Sequence, residues 1–548
     1  MFRIDLFKYK LALKFNHSNS IGPISLTPFL LSTIQKVEIV NMIDNHEHLE
    51  LSLLKFTNLK SLKVVNTGTL QVPVISNLQQ LDHLELSNME ISDLIPITNL
   101  TNLTSLCLEN VSLLNLDGLE VLINLMDLNI SKNDVSDLTP ISSLINLVVL
   151  NISETEVSSL SSLRKLSKLQ VLRCHDSNCL EDINQLFQFE NLRELDLSRV
   201  EFTFDTMNEI QDVSFFQSLA RLEILNLRYQ AIRNIEPLTK LSNLKILKLD
   251  GNKIQGIPIL TGLVNIEHLS FYEFYPSVPP DIDIFEISGM KDLITLKHLC
   301  LVCDKVSDIT PLSSLINLTY LELWINDLND ISVLVCLINL EVLMLAHNNI
   351  AILSPIINLE NLVELDISYN CLTDLSPVFN LWKLKQLNIA SNFVSDCSPL
   401  FNLYYLTILD ISDNCLSDIF PLTNLRKLEV LDLSKNQIID ISPLSNLFKL
   451  KTLRLFDNCI SKISALKDLT ALTTLDLSHN FITNISSLTL LVSLERFYIF
   501  SNEVKDTEVL EMLPRLEMVL ESVRGNSENI FLVRATLSSL KSLRIGDM

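Results

Sequence analysis

Residues 340–350 read LEVLMLAHNNI, residues 362–372 read LVELDISYNCL and residues 384–394 read LKQLNIASNFV. The segments are spaced by 22 residues, with aliphatic side chains at places 1, 4, 6 and 11 and asparagine at place 9. Outward from them the leading leucine recurs without insertion or deletion at Leu296, Leu318, Leu340, Leu362, Leu384, Leu406, Leu428, Leu450, Leu472, Leu494 and Leu516. Asparagine holds position 9 at Asn326, Asn348, Asn370, Asn392, Asn414, Asn436, Asn458, Asn480 and Asn502. Positions 4 and 6 alternate with period 2, which is strand geometry with one face buried. The position-9 amide carries donors and an acceptor, so it can satisfy turn backbone groups and tie the turn to the next repeat. A motif such as Asp374-Leu-Ser-Pro377 or Asp440-Ile-Ser-Pro443 follows. Its Ser-Pro pair reads as an N-cap and a first helical residue, starting a short 3₁₀-like turn.

The period continues upstream through Leu59, Leu81, Leu103, Leu125, Leu147, Leu169, Leu192, Leu222, Leu244 and Ile266, with Val37 heading a further degenerate unit. The steps Leu192→Leu222 and Ile266→Leu296 are 30 residues, which places 8-residue insertions near 200–216 and 273–292. Residues 1–36 read as an N-terminal cap, 37–522 as the array and 523–548 as a C-terminal cap. Terminal repeats need such caps, since they would otherwise expose the core. A fixed period in this range with the pattern LxxLxLxxN is similar to that of leucine-rich-repeat solenoids. The expected fold is therefore an α/β repeat solenoid of about 21–22 repeats. It would be a horseshoe with a parallel concave β-sheet and short 3₁₀ or irregular convex segments.

Composition narrows the function. The chain has 548 residues, a net charge of −23 and only 9 glycines, with no GxGxxG and no GxxxxGK[ST]. Phosphate-cradling loops need glycine for close backbone approach, and an acidic surface repels nucleic acid. Arg3, Asp5, Lys8, Lys10 and Lys14 interrupt the first residues, so no signal peptide is expected. No apolar run reaches the ~18 residues of a membrane span. Cys371, Cys415 and Cys459 follow ladder asparagines in alternate repeats. That spacing is about 10 Å, beyond the about 7 Å between Cα atoms that a disulfide tolerates. Free thiols fit a reducing compartment, here the cytoplasm, with the nucleus as a second location.

The unit SxLxxNxIxDIxPLxxL resembles two groups. One is the leucine-rich-repeat regulatory subunits of protein phosphatase-1; the other is the internalin-like bacterial surface proteins. The tail Gly525-Asn526, Arg534, Leu537, Leu540 and Leu543 is similar to the C-terminal cap of the phosphatase-regulator class, with Ser527 in place of the cap's proline and Val533 in place of its tyrosine. The resemblance implies a non-enzymatic scaffold or regulator that binds a phosphatase catalytic subunit, or another basic protein surface, on its concave face. The alternative is an internalin-like adhesion protein. No cofactor, metal, nucleic acid or membrane is expected as a partner, and the chain is expected to be a monomer.

Positions 3, 5, 7 and 8 of each strand point to the concave surface. Position 5 carries Glu322, Asp366, Asp410, Asp432 and Asp476, an acidic stripe. Aromatic residues reach outward positions at Tyr320, Trp324, Phe456, Tyr498 and Phe500. Exposed Tyr and Trp are enriched in interface hot spots, so these ten residues form the expected partner-binding face. Two other motifs read as core, and a third lacks the spacing of a metal site. In Arg199-Val200-Glu201-Phe202, which matches a phosphatase docking motif, Phe202 falls at position 11. Cys174 and Cys179 fall at core positions 6 and 11 while His175 points outward, so they cannot converge on a metal. Cys300-Leu-Val-Cys303 lacks a second pair.

Overall fold

The computed structural model describes residues 2–7, 10–16, 34–40, 58–66, 72–91, 93–177, 183–199, 210–254, 256–272, 286–302, 305–505, 508–516, 518–520 and 531–532. The chain forms two compact units, residues 1–271 and 272–548. The motifs at Val200–Phe202, Cys179, Cys303 and 533–543 lie outside the described residues, as do most of both insertions.

In the first unit β1 (Phe2–Phe7) and β2 (Lys10–Asn16) form an antiparallel pair, and β2 runs parallel to β3 (Ile34–Val40). Parallel strands then follow one per repeat: β4 (Ser61–Val65), β5 (His83–Ser87), β6 (Ser105–Glu109), β7 (Asp127–Asn129), β8 (Val149–Asn151), β9 (Val171–Arg173), β10 (Glu194–Asp196), β11 (Ile224–Asn226), β12 (Ile246–Lys248) and β13 (His268–Tyr272), whose last residue, Tyr272, is the first of the second unit. Val37 stands opposite Leu62, in the second leucine column, so Ile34 and not Val37 holds the leading place of the first repeat.

The second unit repeats the plan with β14 (His298–Val302), β15 (Tyr320–Glu322), β16 (Val342–Met344), β17 (Glu364–Asp366), β18 (Gln386–Asn388), β19 (Ile408–Asp410), β20 (Val430–Asp432), β21 (Thr452–Arg454), β22 (Thr474–Asp476), β23 (Arg496–Tyr498) and β24 (Met518–Leu520). β25 (Phe531–Leu532) closes it antiparallel to β24. Register is exact from strand to strand: Leu343 pairs with Leu365, Leu365 with Leu387 and Leu387 with Leu409. This is the parallel sheet with short 3₁₀ turns of a leucine-rich-repeat solenoid. One repeat buries Leu362, Leu365, Ile367, Leu372, Leu375, Val378 and Leu381, each at 1% exposure or less. Deleting any of them to alanine removes about 2–5 kcal/mol.

Two sequence readings change in detail. The asparagine ladder ties each repeat to the one before it. Asn414 Nδ2 donates to Ile389 O at 3.1 Å, and its Oδ1 accepts from Val394 N at 2.9 Å. The amide lies at the end of its own strand and reaches back over the preceding turn. The Ser-Pro serine is not the N-cap. The cap residue is Leu375 or Ile441, without a side-chain bond. The capping acceptor is the aspartate before it: Ser376 N donates to Asp374 Oδ1, and Ser442 N to Asp440 Oδ1, both at 2.8 Å. Asp374 and Asp440 are held below the usual carboxylate range by these bonds.

Position 8 is left-handed throughout, with φ of 50–56° from Ile325 to Ser501. Asn fills it at Asn66, Asn88 and Asn110; Ile325 is the one β-branched residue in that conformation among the described residues. Left-handed backbone costs an L-residue about 1–2 kcal/mol, and asparagine least. Ile325→Asn is therefore expected to slow amide exchange around β15 by about 1 kcal/mol of local stability. Faster exchange there would show that Ile325 gains more from packing than it loses to strain.

Candidate functional site

The strand face carries the polar and aromatic residues because the alternate positions are occupied by the core. At β15 the pattern is half-buried Tyr320, buried Leu321 and half-buried Glu322, followed by half-buried Trp324. Tyr320 Oη donates to Glu322 Oε2 at 3.1 Å, and Trp324 Nε1 donates to Glu322 Oε1 at 2.6 Å. Burial, then the neighbouring Glu322, pushes the Tyr320 hydroxyl well up, so it remains a donor. The Tyr320 ring stacks on His298 at 3.9 Å and 8°. Tyr272 meets Trp324 at 5.9 Å between ring centroids, tilted by 42°. Among the described residues neither carboxylate oxygen of Glu322 has a cationic partner.

Glu322 faces Met344, and Met344 faces Asp366, so the acidic column skips β16 and resumes on β17. Asn388 Nδ2 donates to Asp366 Oδ2 at 2.9 Å. Asp410 and Asp432 stand opposite each other. Asp410 Oδ1 accepts from Ser412 N at 3.0 Å and from its hydroxyl at 2.6 Å. Burial, and then Asp432, still raises the Asp410 carboxyl above its ordinary range. Burial, and then Asp366, raises Glu364 in the same way.

Across positions 3, 5 and 7 of β15 to β20 there are five carboxylates, Glu322, Glu364, Asp366, Asp410 and Asp432, and no lysine or arginine. Among the described residues one ion pair touches this stretch, Arg454 to Asp432 at 3.4 Å. The first unit differs. There most strand-face carboxylates have a cationic partner: Lys36–Glu38 at 2.8 Å, Lys63–Glu85 at 2.7 Å, Lys132–Glu109 at 2.8 Å, Arg173–Glu194 at 2.7 Å, and Arg228 with the buried Asp250. Asp127 and Asp196 accept only neutral donors, from Ser105 and from Ser198 and Asn226.

The ten sequence-predicted residues all lie on the strand face, but they form two groups. Tyr320, Glu322 and Trp324 are in mutual contact, with Asp366, Asp410 and Asp432 along the adjoining strands. Phe456 lies six strand steps from Trp324, about 29 Å away. It meets His479 edge-on at 5.0 Å. Asp476 pairs in register with Tyr498, near Phe500. Arg454 interrupts the acidic column between Asp432 and Asp476. Sequence reasoning missed Tyr272, His298, Glu364 and Arg454. Counting positions 3 and 7 as well as 5 finds the first three, and Arg454 stands at position 5 itself, as the basic exception in the acidic column. It also missed the turn side, where Ile357, Phe379, Phe401 and Phe420 line an apolar groove of about 630 Å³.

Among the described residues of the other motifs, Cys300 is buried at 6% exposure. Cys174 is buried at 2% exposure. His175 Nδ1 lies 3.2 Å from Asp176 Oδ2. Cys371, Cys415 and Cys459 are free and exposed. No helix among the described residues is long and apolar enough to cross a membrane.

A family profile described as leucine-rich repeat region matches residues 24–282. Another, described as leucine-rich repeats in two copies, matches residues 338–376, 360–402, 406–446 and 449–490. No curated protein matches the chain. Among solved structures it is similar to the Arabidopsis receptor kinase HAESA, solved with the peptide hormone IDA and the co-receptor SERK1. Identity is 22% over 78% of this chain and 80% of that one, with a TM-score of 0.59. The leucine-rich-repeat ectodomain of GASSHO1/SCHENGEN3 from Arabidopsis thaliana is 22% identical over 89% of this chain, with a TM-score of 0.55, and the chain spans 64% of its length. An internalin, InlF, from Listeria monocytogenes is 27% identical over 73% of this chain and 87% of that one, with a TM-score of 0.40. The two profiles and the strand-per-repeat architecture agree: the chain is a leucine-rich-repeat protein.

Proposed function

We propose that the chain is a non-enzymatic protein-interaction scaffold whose second unit receives a basic segment of a protein partner on the strand face of β15 to β20. The observation that carries this reading is the contrast in charge pairing. In the first unit ion pairs compensate most of the strand-face carboxylates, Glu38, Glu85, Glu109, Glu194 and Asp250 among them. In the second unit five carboxylates stand over five strand steps, about 24 Å, with one distant arginine at the edge. Glu364 and Asp410 have raised folded-state pKa values. The sign follows: they favour the fold below their ordinary range and oppose it as pH rises through the folded value. A cationic partner relieves that opposition.

Two consequences are measurable. Basic-partner affinity is expected to fall as pH is lowered, starting above the range of ordinary carboxylates, with Asp410→Asn moving the onset down. An onset unchanged in Asp410→Asn would remove Asp410 from the site. Affinity purification with mass spectrometry, comparing wild type with Asp366→Asn/Asp410→Asn/Asp432→Asn and with Lys63→Ala/Glu85→Ala, tests the reading as a whole. The partner should be lost with the first variant and kept with the second; equal recovery with all three would sink the proposal.

The first identity to look for in that experiment is a phosphatase catalytic subunit. Its support is the resemblance of the repeat unit and of residues 525–543 to phosphatase regulators. The proposed setting is the cytoplasm or nucleus, supported by the free cysteines.

A further inference from the structure

We infer that Trp324 and Glu322 form a docking site for an arginine side chain of the partner. This rests on the proposed basic-partner reading and names the group recognised.

The site is held in place before any ligand arrives. Glu322 receives one aromatic donor on each oxygen, from Tyr320 at 3.1 Å and from Trp324 at 2.6 Å. The same bonds fix both rings. A carboxylate has about four lone-pair directions, so each oxygen retains one for an incoming donor. Two free lone pairs on one planar carboxylate match the parallel N–H groups of a guanidinium. A quaternary ammonium has no N–H and would leave them unused, and an unmodified lysine can use only a single point charge.

The aromatic wall is Trp324. One face of the Tyr320 ring is covered by His298 at 3.9 Å, so Tyr320 positions the carboxylate. The Tyr272 and Trp324 rings are 5.9 Å apart at the centroids. A planar cation between two stacked faces needs about 7 Å, twice an ordinary carbon contact. The guanidinium therefore stacks on Trp324 from one side, with Tyr272 buttressing the ring. Glu364 and Asp366 lie two strands along, without a cationic partner among the described residues, and extend the negative field around the site. Such a cation–π contact adds to the carboxylate pair because the two act on different parts of one planar group.

Charge alone attracts arginine and lysine equally; this geometry separates them. The test uses the full chain and two labelled peptides, nona-arginine and nona-lysine, followed by fluorescence anisotropy. The Trp382→Phe variant leaves Trp324 as the single tryptophan, since the chain has 2. Nona-arginine is expected to bind about 10-fold more tightly than nona-lysine and to change Trp324 emission. Trp324→Leu and Glu322→Gln should each bring the two peptides to within about 2-fold of each other. Tyr320→Phe, which keeps the ring but loses the bond to Glu322, should retain part of the preference. Equal affinity for both peptides, abolished by Asp410→Asn/Asp432→Asn, would overturn the arginine site and leave the basic-partner reading standing. Absence of binding by either peptide would overturn both. A preference that survives Trp324→Leu would place arginine recognition elsewhere.

Discussion

Alanine at both Tyr320 and Trp324 is expected to weaken partner capture by roughly 30- to 1,000-fold, the span of two to four kcal/mol typical of aromatic hot spots. The melting transition should barely move. Both rings lie on the strand face, outside the leucine columns, and neither repeat's core loses a methylene. The variant gives up the His298 stack and two hydrogen bonds to a half-buried carboxylate, which are local and partly replaced by water. Glu322 then becomes a mobile, hydrated carboxylate and its neighbours keep only non-directional attraction. Binding measured against the recovered partner, with thermal unfolding alongside, checks this. Unaltered capture would remove the β15 patch from the interface. Capture lost together with a broad, early melting transition would show a structural role instead.

Asn414→Ala is expected to cost about 2–4 kcal/mol of local stability. The asparagine serves Val394 N at 2.9 Å, Ile389 O at 3.1 Å, Ser412 O at 2.9 Å and its own Ile411 O at 3.4 Å. Alanine leaves the buried Val394 N without its acceptor and removes one donor each from Ile389 O, Ile411 O and Ser412 O, which keep the Asn392 amide, the Asn436 amide and Ser391 N. In a solenoid each repeat touches only its neighbours, so the loss concentrates near that repeat and does not spread evenly. Hydrogen exchange should accelerate between residues 389 and 436 while the first unit keeps its protection. Asn414→Asp is a sharper version, since the carboxylate keeps the acceptor and loses both donors. An exchange profile unchanged around Val394 would contradict the ladder.

The fold was legible because a 22-residue period turns sequence position into spatial column. Leu321, Leu343, Leu365 and Leu387 stand in one row because their spacing admits nothing else. The direction of the asparagine ladder was not legible, since an amide can reach either neighbour and only backbone geometry chooses. The cap was misread for a related reason. Ser376 and Asp374 are both good cap residues, and the two-residue reach of the aspartate decides between them. The candidate site was legible as a set of outward residues but not as a contact. Nothing in the string Tyr-Leu-Glu-Leu-Trp says that Glu322 accepts from both rings. Tyr272 was legible as position 7 of the Ile266 repeat, but its contact with Trp324 was not, since the insertion lies between the two repeats. The charge contrast between the units was present in the sequence but invisible there, since the first unit has as many acidic positions. What differs is whether a cation stands opposite, as Lys63 does for Glu85.

Carbodiimide labelling of carboxylates, with and without the partner recovered by affinity purification, tests the central claim most directly. Glu322, Glu364, Asp366, Asp410 and Asp432 should become protected on binding, while Glu85, Glu109 and Glu194 keep their labelling. Protection of the first-unit carboxylates with Glu322 and Asp410 unchanged would contradict the account.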